Sequence, residues 1–358
     1  MRHQYKIKKI FFGFRVIHIA FIGFVLSACT HTTTDPGELK EVKNNVVWKI
    51  DTLGEAGSDP YSAAIINDSL FIVVGNFVRM DSLNQYGNGF YNVAIGNGRS
   101  WKYYAVGLFM PGGSYWSVET MTDVHVNSEN NIIICSRASV HQWDGMQWHV
   151  LASFIKPGPY YKQIYCMSVT SDGTIFCGGR SGTLFCVNNG AWTDISVSTT
   201  KDILNMKISP SQSGKSNTVI GVMSNLFGAA DSTSMLEISS NNVTQYPVKG
   251  ISNAMGALWT DNNRYYIGGI DVYSSSSIQG GWEKIASPST YVNSISGTWK
   301  NDIFIAGYDV LKHYDGHTWS LIGNHGIELI THLACNENKL LAVGKKGNKC
   351  IVAIGSRY

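Results

Sequence analysis

Asp315 lies between two histidines in the stretch K312-H-Y-D-G-H-T-W-S-L-I-G323, residue types that could relay a proton or hold a metal ion. The local pattern argues against both uses. Across a two-residue turn at Asp315-Gly316, strand alternation sends His313 and His317 to opposite faces. Asp144-Gly145 repeats the arrangement ahead of Trp148. Asp-Gly is what a tight type I′ hairpin demands of its central residues, so both pairs are expected as turns that lead into an outer strand carrying Trp148 or Trp319. The phosphate-loop-like S209-P-S-Q-S-G-K-S216 has Ser209 in place of the first glycine and no strand-to-helix context. The chain contains no H-E-x-x-H, G-x-S-x-G or C-x-x-C, so metalloprotease, α/β-hydrolase and dithiol chemistry have no support. No catalytic residue, metal ligand or cofactor is assigned.

The elements that position such residues begin after an export signal. Arg2, Lys6, Lys8, Lys9 and Arg15 precede an apolar run from Val16 to Leu26, too short for a bilayer core that needs about 20 residues. The run ends in Leu26-Ser27-Ala28-Cys29, which resembles the lipobox of bacterial lipoproteins. That resemblance implies cleavage before Cys29, a diacylglycerol on its thiol and a fatty acid such as palmitate on its amine. It also implies a membrane partner through that anchor, in a bacterial cell envelope, with the outer membrane favoured over the inner and periplasmic or surface display left open. The expected organisation is a signal peptide over 1–28, a lipidated N-terminus and polar tether over 29–43, and one β domain over 44–358.

The chain carries 28 basic and 25 acidic residues. Five of the basic ones fall before Cys29, so the remainder has a net charge of −2, and nothing in it argues for nucleic acid. Past the tether the sequence repeats itself. One element is Asn/Asp, Gly/Asn, two residues and an aromatic: N44-N-V-V-W48, N97-G-R-S-W101, D144-G-M-Q-W148, N241-N-V-T-Q-Y246 with one extra residue, and D315-G-H-T-W319. N189-G-A-W192 and Q279-G-G-W282 are shorter copies. The other element is an apolar run closing on glycine: L70-F-I-V-V-G75, I175-F-C-G-G179, Y266-I-G-G269, I303-F-I-A-G307 and L340-L-A-V-G344. The aromatics recur every 36 to 54 residues, the period of a propeller blade.

The expected fold is all-β, a seven-bladed β-propeller of four-stranded blades. The last blade lacks a closing strand, which Val46 to Ile50 at the N-terminus would supply, leaving no open edge. The repeat resembles propellers of the broad kelch and galactose-oxidase-like type, although the double glycine with spaced Tyr and Trp of kelch is only partly present. Asp-box sialidases carry a similar Asp-Gly-aromatic hairpin, but Ser171-Asp172-Gly173 is followed by no tryptophan. Trp259 and Trp299 are expected as packing residues. Cys177 and Cys186 would face each other across a Ser181-Gly182 loop, and the six cysteines after Cys29 are expected as buried free thiols.

Ligands of propellers gather where the turns between second and third strands meet the channel. Those turns offer Arg79, Arg137 and Arg180 in blades one to three and Lys345 with Lys346 in blade seven, against Asp271 and Asp309 in blades five and six. Tyr86, Phe90, Tyr115, Trp116, Tyr160 and Tyr161 fall on the same face. An anionic ligand such as an acidic glycan, or an envelope protein, suits the basic arc. Three functions follow from this: a non-catalytic binding module, a sialidase-like or lyase-type enzyme using the arginines, or a structural subunit of an envelope complex.

Overall fold

A strand buried on both faces must be apolar at every position, and the run Leu70–Val78 shows why. Phe71 and Val73 fill the gap on one side of their sheet, while Ile72 and Val74 fill the gap on the other. The computed structural model describes residues 39–80, 89–109, 116–154, 162–209, 218–225, 232–239, 242–251, 254–261 and 263–358. Cys29, Tyr86, Tyr115, Tyr160 and Tyr161 lie outside them, as does the side chain of Trp116.

Seven antiparallel four-stranded sheets form the ring. Blades one to six span 59–104, 121–153, 164–194, 202–247, 257–286 and 292–321, each meandering outward from its innermost strand. Blade seven takes three strands from 329–357 and its outermost strand from Val46–Gly54. That strand pairs with Lys349–Arg357 from Val46↔Arg357 to Gly54↔Cys350. The innermost strands of blades seven and one pack side by side, as do all other neighbours. One apolar cluster fills each of the seven gaps between blades, so each blade is held through its two faces. A short hairpin, Gly107–Phe109 with Trp116–Val118, lies between blades one and two and has no counterpart among the other described links.

Both repeated sequence elements have physical causes. In blades one, three, six and seven the glycine ending the apolar run sits where the innermost strand of the same blade bulges. A Cβ on Gly75, Gly179, Gly307 or Gly344 would lie 2.2, 1.8, 2.0 and 1.9 Å from a backbone oxygen, distances no side chain tolerates. The tryptophan of the repeat reaches the preceding blade, whereas Tyr246, set one residue later in its copy, packs in the gap to the following one. Trp101 Nε1 donates to Asp51 of blade seven at 3.0 Å, Trp319 Nε1 to the Ile285 carbonyl of blade five at 3.2 Å, and Trp48 Nε1 to the Gly323 carbonyl at 3.0 Å. Trp259 packs against Tyr266 in a tilted arrangement, ring centroids 5.0 Å apart.

Two details depart from the sequence reading. Tyr314 pairs with Trp319 and Trp143 with Trp148, so the Asp-Gly turns are four-residue loops, not two-residue hairpins. The aspartate caps its own loop: Asp315 Oδ1 accepts from the His317 and Thr318 N–H groups at 2.8 Å, and Asp144 Oδ1 from those of Met146 and Gln147 at 2.8 Å. Such local side-chain bonds favour the wider turn, and Gly145 and Gly316 supply its left-handed residue with φ of +96° and +97°. Second, Cys177 pairs with Phe185, and Cys186 with Phe176. The one-residue offset puts Cys177 in the gap to blade two and Cys186 in the gap to blade four, where no bridge can join them. All six described cysteines are free thiols.

Candidate functional site

Upper face denotes the side on which the turns between second and third strands lie beside the entries to the innermost strands. There Arg137 and Arg180, from consecutive blades, flank one point. The Arg137 carbonyl accepts from Ile164 N–H at 2.9 Å, and Arg180 N–H donates to the Gln163 carbonyl at 2.8 Å. Gln163 and Ile164 are neighbours at the start of blade three, so the two turns converge on one entry. Both arginines are exposed. Tyr165 follows in the innermost strand, its hydroxyl donating to Gln163 Oε1 at 3.4 Å. Burial and then the Asp202 carboxylate push the Tyr165 phenol up, while the Arg180 and Arg137 charges pull it back. Asp202 also accepts from Ser181 N–H at 2.8 Å, which holds the Arg180 turn in place.

The Arg137 turn rests on a buried polar cluster. Ser136 and Ser139 donate their hydroxyls to Glu119 Oε2, the latter at 2.6 Å, and Ser139 Oγ lies 2.7 Å from His141 Nε2. A serine, a histidine and a carboxylate in contact invite comparison with a hydrolase triad, but the order of bonds is wrong. In a triad the histidine takes the serine proton and the acid orients the histidine. Here the serine hydroxyl donates its hydrogen bond to the acid, leaving the serine oxygen to accept from the ring. Ser139 and His141 are 0 % and 1 % exposed, out of reach of a substrate. Burial holds the His141 ring down at about 4, so it stays neutral. The cluster positions a turn.

The other residues of the expected arc are placed differently. The Arg79 guanidinium lies over the Tyr103 ring, 4.4 Å from its centre, and donates to the Tyr103 hydroxyl at 2.7 Å. Tyr103 is on the outermost strand of the same blade, so Arg79 is drawn outward from the axis. Lys345 forms an ion pair with Asp59 at 2.5 Å, joining blade seven to blade one. Asp271 faces Lys284 at 3.7 Å and accepts from the Tyr273 hydroxyl at 3.4 Å within blade five. Asp309 is exposed in a left-handed turn with φ +55° and bears on His325. Phe90 is 44 % exposed. The structure therefore brings Arg137 and Arg180 together and gives the rest local partners. Among the described residues no group of His, Cys, Asp and Glu side chains could hold a metal ion.

Tyr165 and Asp202 were missed in the sequence because each is a single polar position beside an apolar strand. Their only signal is strand alternation once the blade boundaries are known.

No protein family and no curated protein matches the sequence. Solved propellers match the fold. YCF48 bound to D1 peptide superposes with a TM-score of 0.63 at 14% identity, over 90% of this chain and 99% of that one. The WD40 beta propeller domain of Doa1 gives 0.60 at 14% identity over 87% and 97%. A chain of the Mitotic Checkpoint Complex gives 0.59 at 10% identity over 96% and 100%. At such identities the likeness is one of fold.

Proposed function

We propose that the chain is a lipid-anchored envelope propeller acting as a non-catalytic binding module, and that it holds a carboxylate-bearing partner, an acidic glycan or the acidic segment of an envelope protein, at its upper mouth. The observation that carries this reading is the convergence of Arg137 and Arg180 on the entry to blade three. Two guanidiniums on adjacent rigid turns can each grip a carboxylate with parallel hydrogen bonds. The one Ser/His/Glu set beside them is wired as a support, which favours binding over hydrolysis. Peptide capture by the similarly folded YCF48 lends support. Leu39 packs against Gly316 on the opposite, lower face, which leaves the upper mouth clear of this segment.

An array of acidic and neutral glycans and peptides, probed with the purified full chain, tests the reading. Acidic ligands are expected to bind and the Arg137→Ala/Arg180→Ala chain to lose them. Binding confined to neutral ligands overturns it. Metabolic labelling with a fatty-acid analogue tests the anchor separately: label is expected on the wild type and not on Cys29→Ala.

A further inference from the structure

Counted back from the glycine that closes each apolar run, Ile72, Phe176, Tyr266, Phe304 and Leu341 hold equivalent places on the second strands. Their partners on the third strands are Ile95, Cys186, Ser274, His313 and Ile354. Blade five thus sets a serine where blades one and seven set isoleucine. Its innermost strand, Ala257–Thr260, is also the shortest in the ring. With less bulk there, the gap between blades five and six holds a cleft of about 530 Å³ that opens to the lower face.

The cleft has aromatic walls and a charged rim. Tyr266 lines it from blade five, and the half-buried Tyr314 and Trp319 line it from blade six. The rings of Tyr314 and Trp319 lie 5.1 Å apart at a tilt of 32°, and Trp319 is held in place by its Nε1 bond to the Ile285 carbonyl. Asp261 fixes the opposite wall, accepting from the Asn263 and Arg264 N–H groups at 2.7 Å and from the Tyr266 hydroxyl at 3.1 Å. The turn so fixed presents Arg264, which donates to Ser274 Oγ at 3.0 Å and stands 3.7 Å from the exposed Glu283 carboxylate. That separation is too long for a hydrogen bond, so both groups keep bonding capacity towards a ligand. Lys300 brings a second positive charge to the same cleft.

The volume is that of a small-molecule site. An anion in the cleft would face Glu283, and a cation would face Arg264 and Lys300. A hydroxyl meets neither conflict, because it donates to a carboxylate and accepts from a guanidinium. A saccharide joins such hydroxyls to a C–H face that can cover an aromatic ring and take its apolar surface out of water. We propose that the cleft binds a neutral sugar unit of a glycan, with its C–H face against Trp319 and Tyr314 and hydroxyls on Arg264 and Glu283. The site is separate from Arg137 and Arg180 and does not depend on the function proposed for them.

The test is an NMR titration of the full chain carrying ¹⁵N-tryptophan with cellobiose, maltose, lactose and N,N′-diacetylchitobiose, with sorbitol as the control polyol that has no ring. A saturable shift of the Trp319 indole signal, identified by its loss in Trp319→Phe, is expected with at least one disaccharide. Binding should weaken about tenfold or more in Arg264→Ala/Glu283→Ala, which removes two charged hydrogen-bonding partners. It should weaken likewise in Ser274→Ile, which fills the cleft as blades one and seven are filled, and persist in Arg137→Ala/Arg180→Ala. Absence of a saturable shift with all the disaccharides overturns the proposal, as do an equal shift with sorbitol, unchanged affinity in either cleft variant, or loss of binding in the upper-mouth variant.

Discussion

Arg357 donates to the carboxylate of Asp302 inside the gap between blades six and seven, with both residues almost fully buried. Thr298 and His313 complete the cluster, the latter at 2.8 Å. Burial would raise Asp302, but the hydrogen bonds from His313, Arg357 and Thr298 overcome it and hold the carboxyl at about 2. The Arg357 guanidinium also covers the Phe304 ring at 4.8 Å, bonds the Asn336 carbonyl at 2.7 Å and reaches the Lys43 carbonyl at 3.4 Å. One side chain thus ties the end of blade seven to blade six and to the segment that precedes the closing strand. His313, to which the sequence assigned no catalytic role, braces that tie.

Arg357→Ala should cost about 3–5 kcal/mol, since it strands a buried carboxylate, while Asp302→Asn/Arg357→Met should recover part of the loss. Urea unfolding of the single and double variants measures this. A loss below about 1 kcal/mol in Arg357→Ala would show that the pair does not hold the ring.

The closing segment begins earlier than its composition suggests. Lys40 exchanges backbone hydrogen bonds with the Asn301 side chain and pairs with Glu337, and Lys43 donates to Asn338 at 2.8 Å. A chain lacking residues 1–38 should melt like the mature protein. Removing 39–45 as well should lower the melting temperature, and removing the strand Val46–Gly54 should prevent cooperative folding. Thermal melts of the three truncations decide it, and coincident curves would contradict closure by this strand.

The blade repeat was legible because its signals are forced by geometry: no Cβ fits at Gly179 or Gly344, and Trp48, Trp101 and Trp319 each reach across a gap of fixed width. What was not legible depends on register and on single side chains. Whether Cys177 meets Cys186 turns on one residue of offset. The loop at Asp315 depends on a carboxylate preferring its own backbone N–H groups. Lys40 and Lys43 read as tether because polar residues strapped to a surface have the composition of polar residues in water. Arg79, alike in position to Arg137, differs because Tyr103 stands within its reach.

Acid should weaken the fold through buried imidazoles. His141 sits at about 4 when folded because of burial and returns to about 6.5 when unfolded. Its contribution is fully present above pH 6.5 and declines as pH falls towards 4, because only the unfolded chain takes up the proton in that window. The effect is about 3 kcal/mol for His141. His332, half-buried and also at about 4, changes in the same direction. His141→Gln should lose less stability than wild type between pH 7.5 and pH 5. Equal losses in paired denaturant titrations would contradict this.

The thiols should all be reduced and unequally accessible. Burial pushes Cys335 up to about 12 and raises Cys166 and Cys177 well above the ordinary thiol range, whereas Cys186 is only half-buried. Maleimide labelling of the native Cys29→Ser chain should reach Cys186 before the four buried thiols, Cys135, Cys166, Cys177 and Cys350, which should react only after denaturation. Intact mass under non-reducing conditions should show no bridge, and a Cys177–Cys186 disulfide peptide would contradict the register.

Isothermal titration of an acidic ligand from the array into the wild type, Arg137→Ala/Arg180→Ala and Arg79→Ala tests the binding site most directly. Exposed charge-assisted contacts of about 1 kcal/mol each, rising where Tyr165 excludes water, make the double variant about 10- to 100-fold weaker. Arg79→Ala, whose guanidinium is held on Tyr103, should bind as the wild type does. Unchanged affinity in the double variant, or an equal loss in Arg79→Ala, would contradict a site built on the convergence of Arg137 and Arg180.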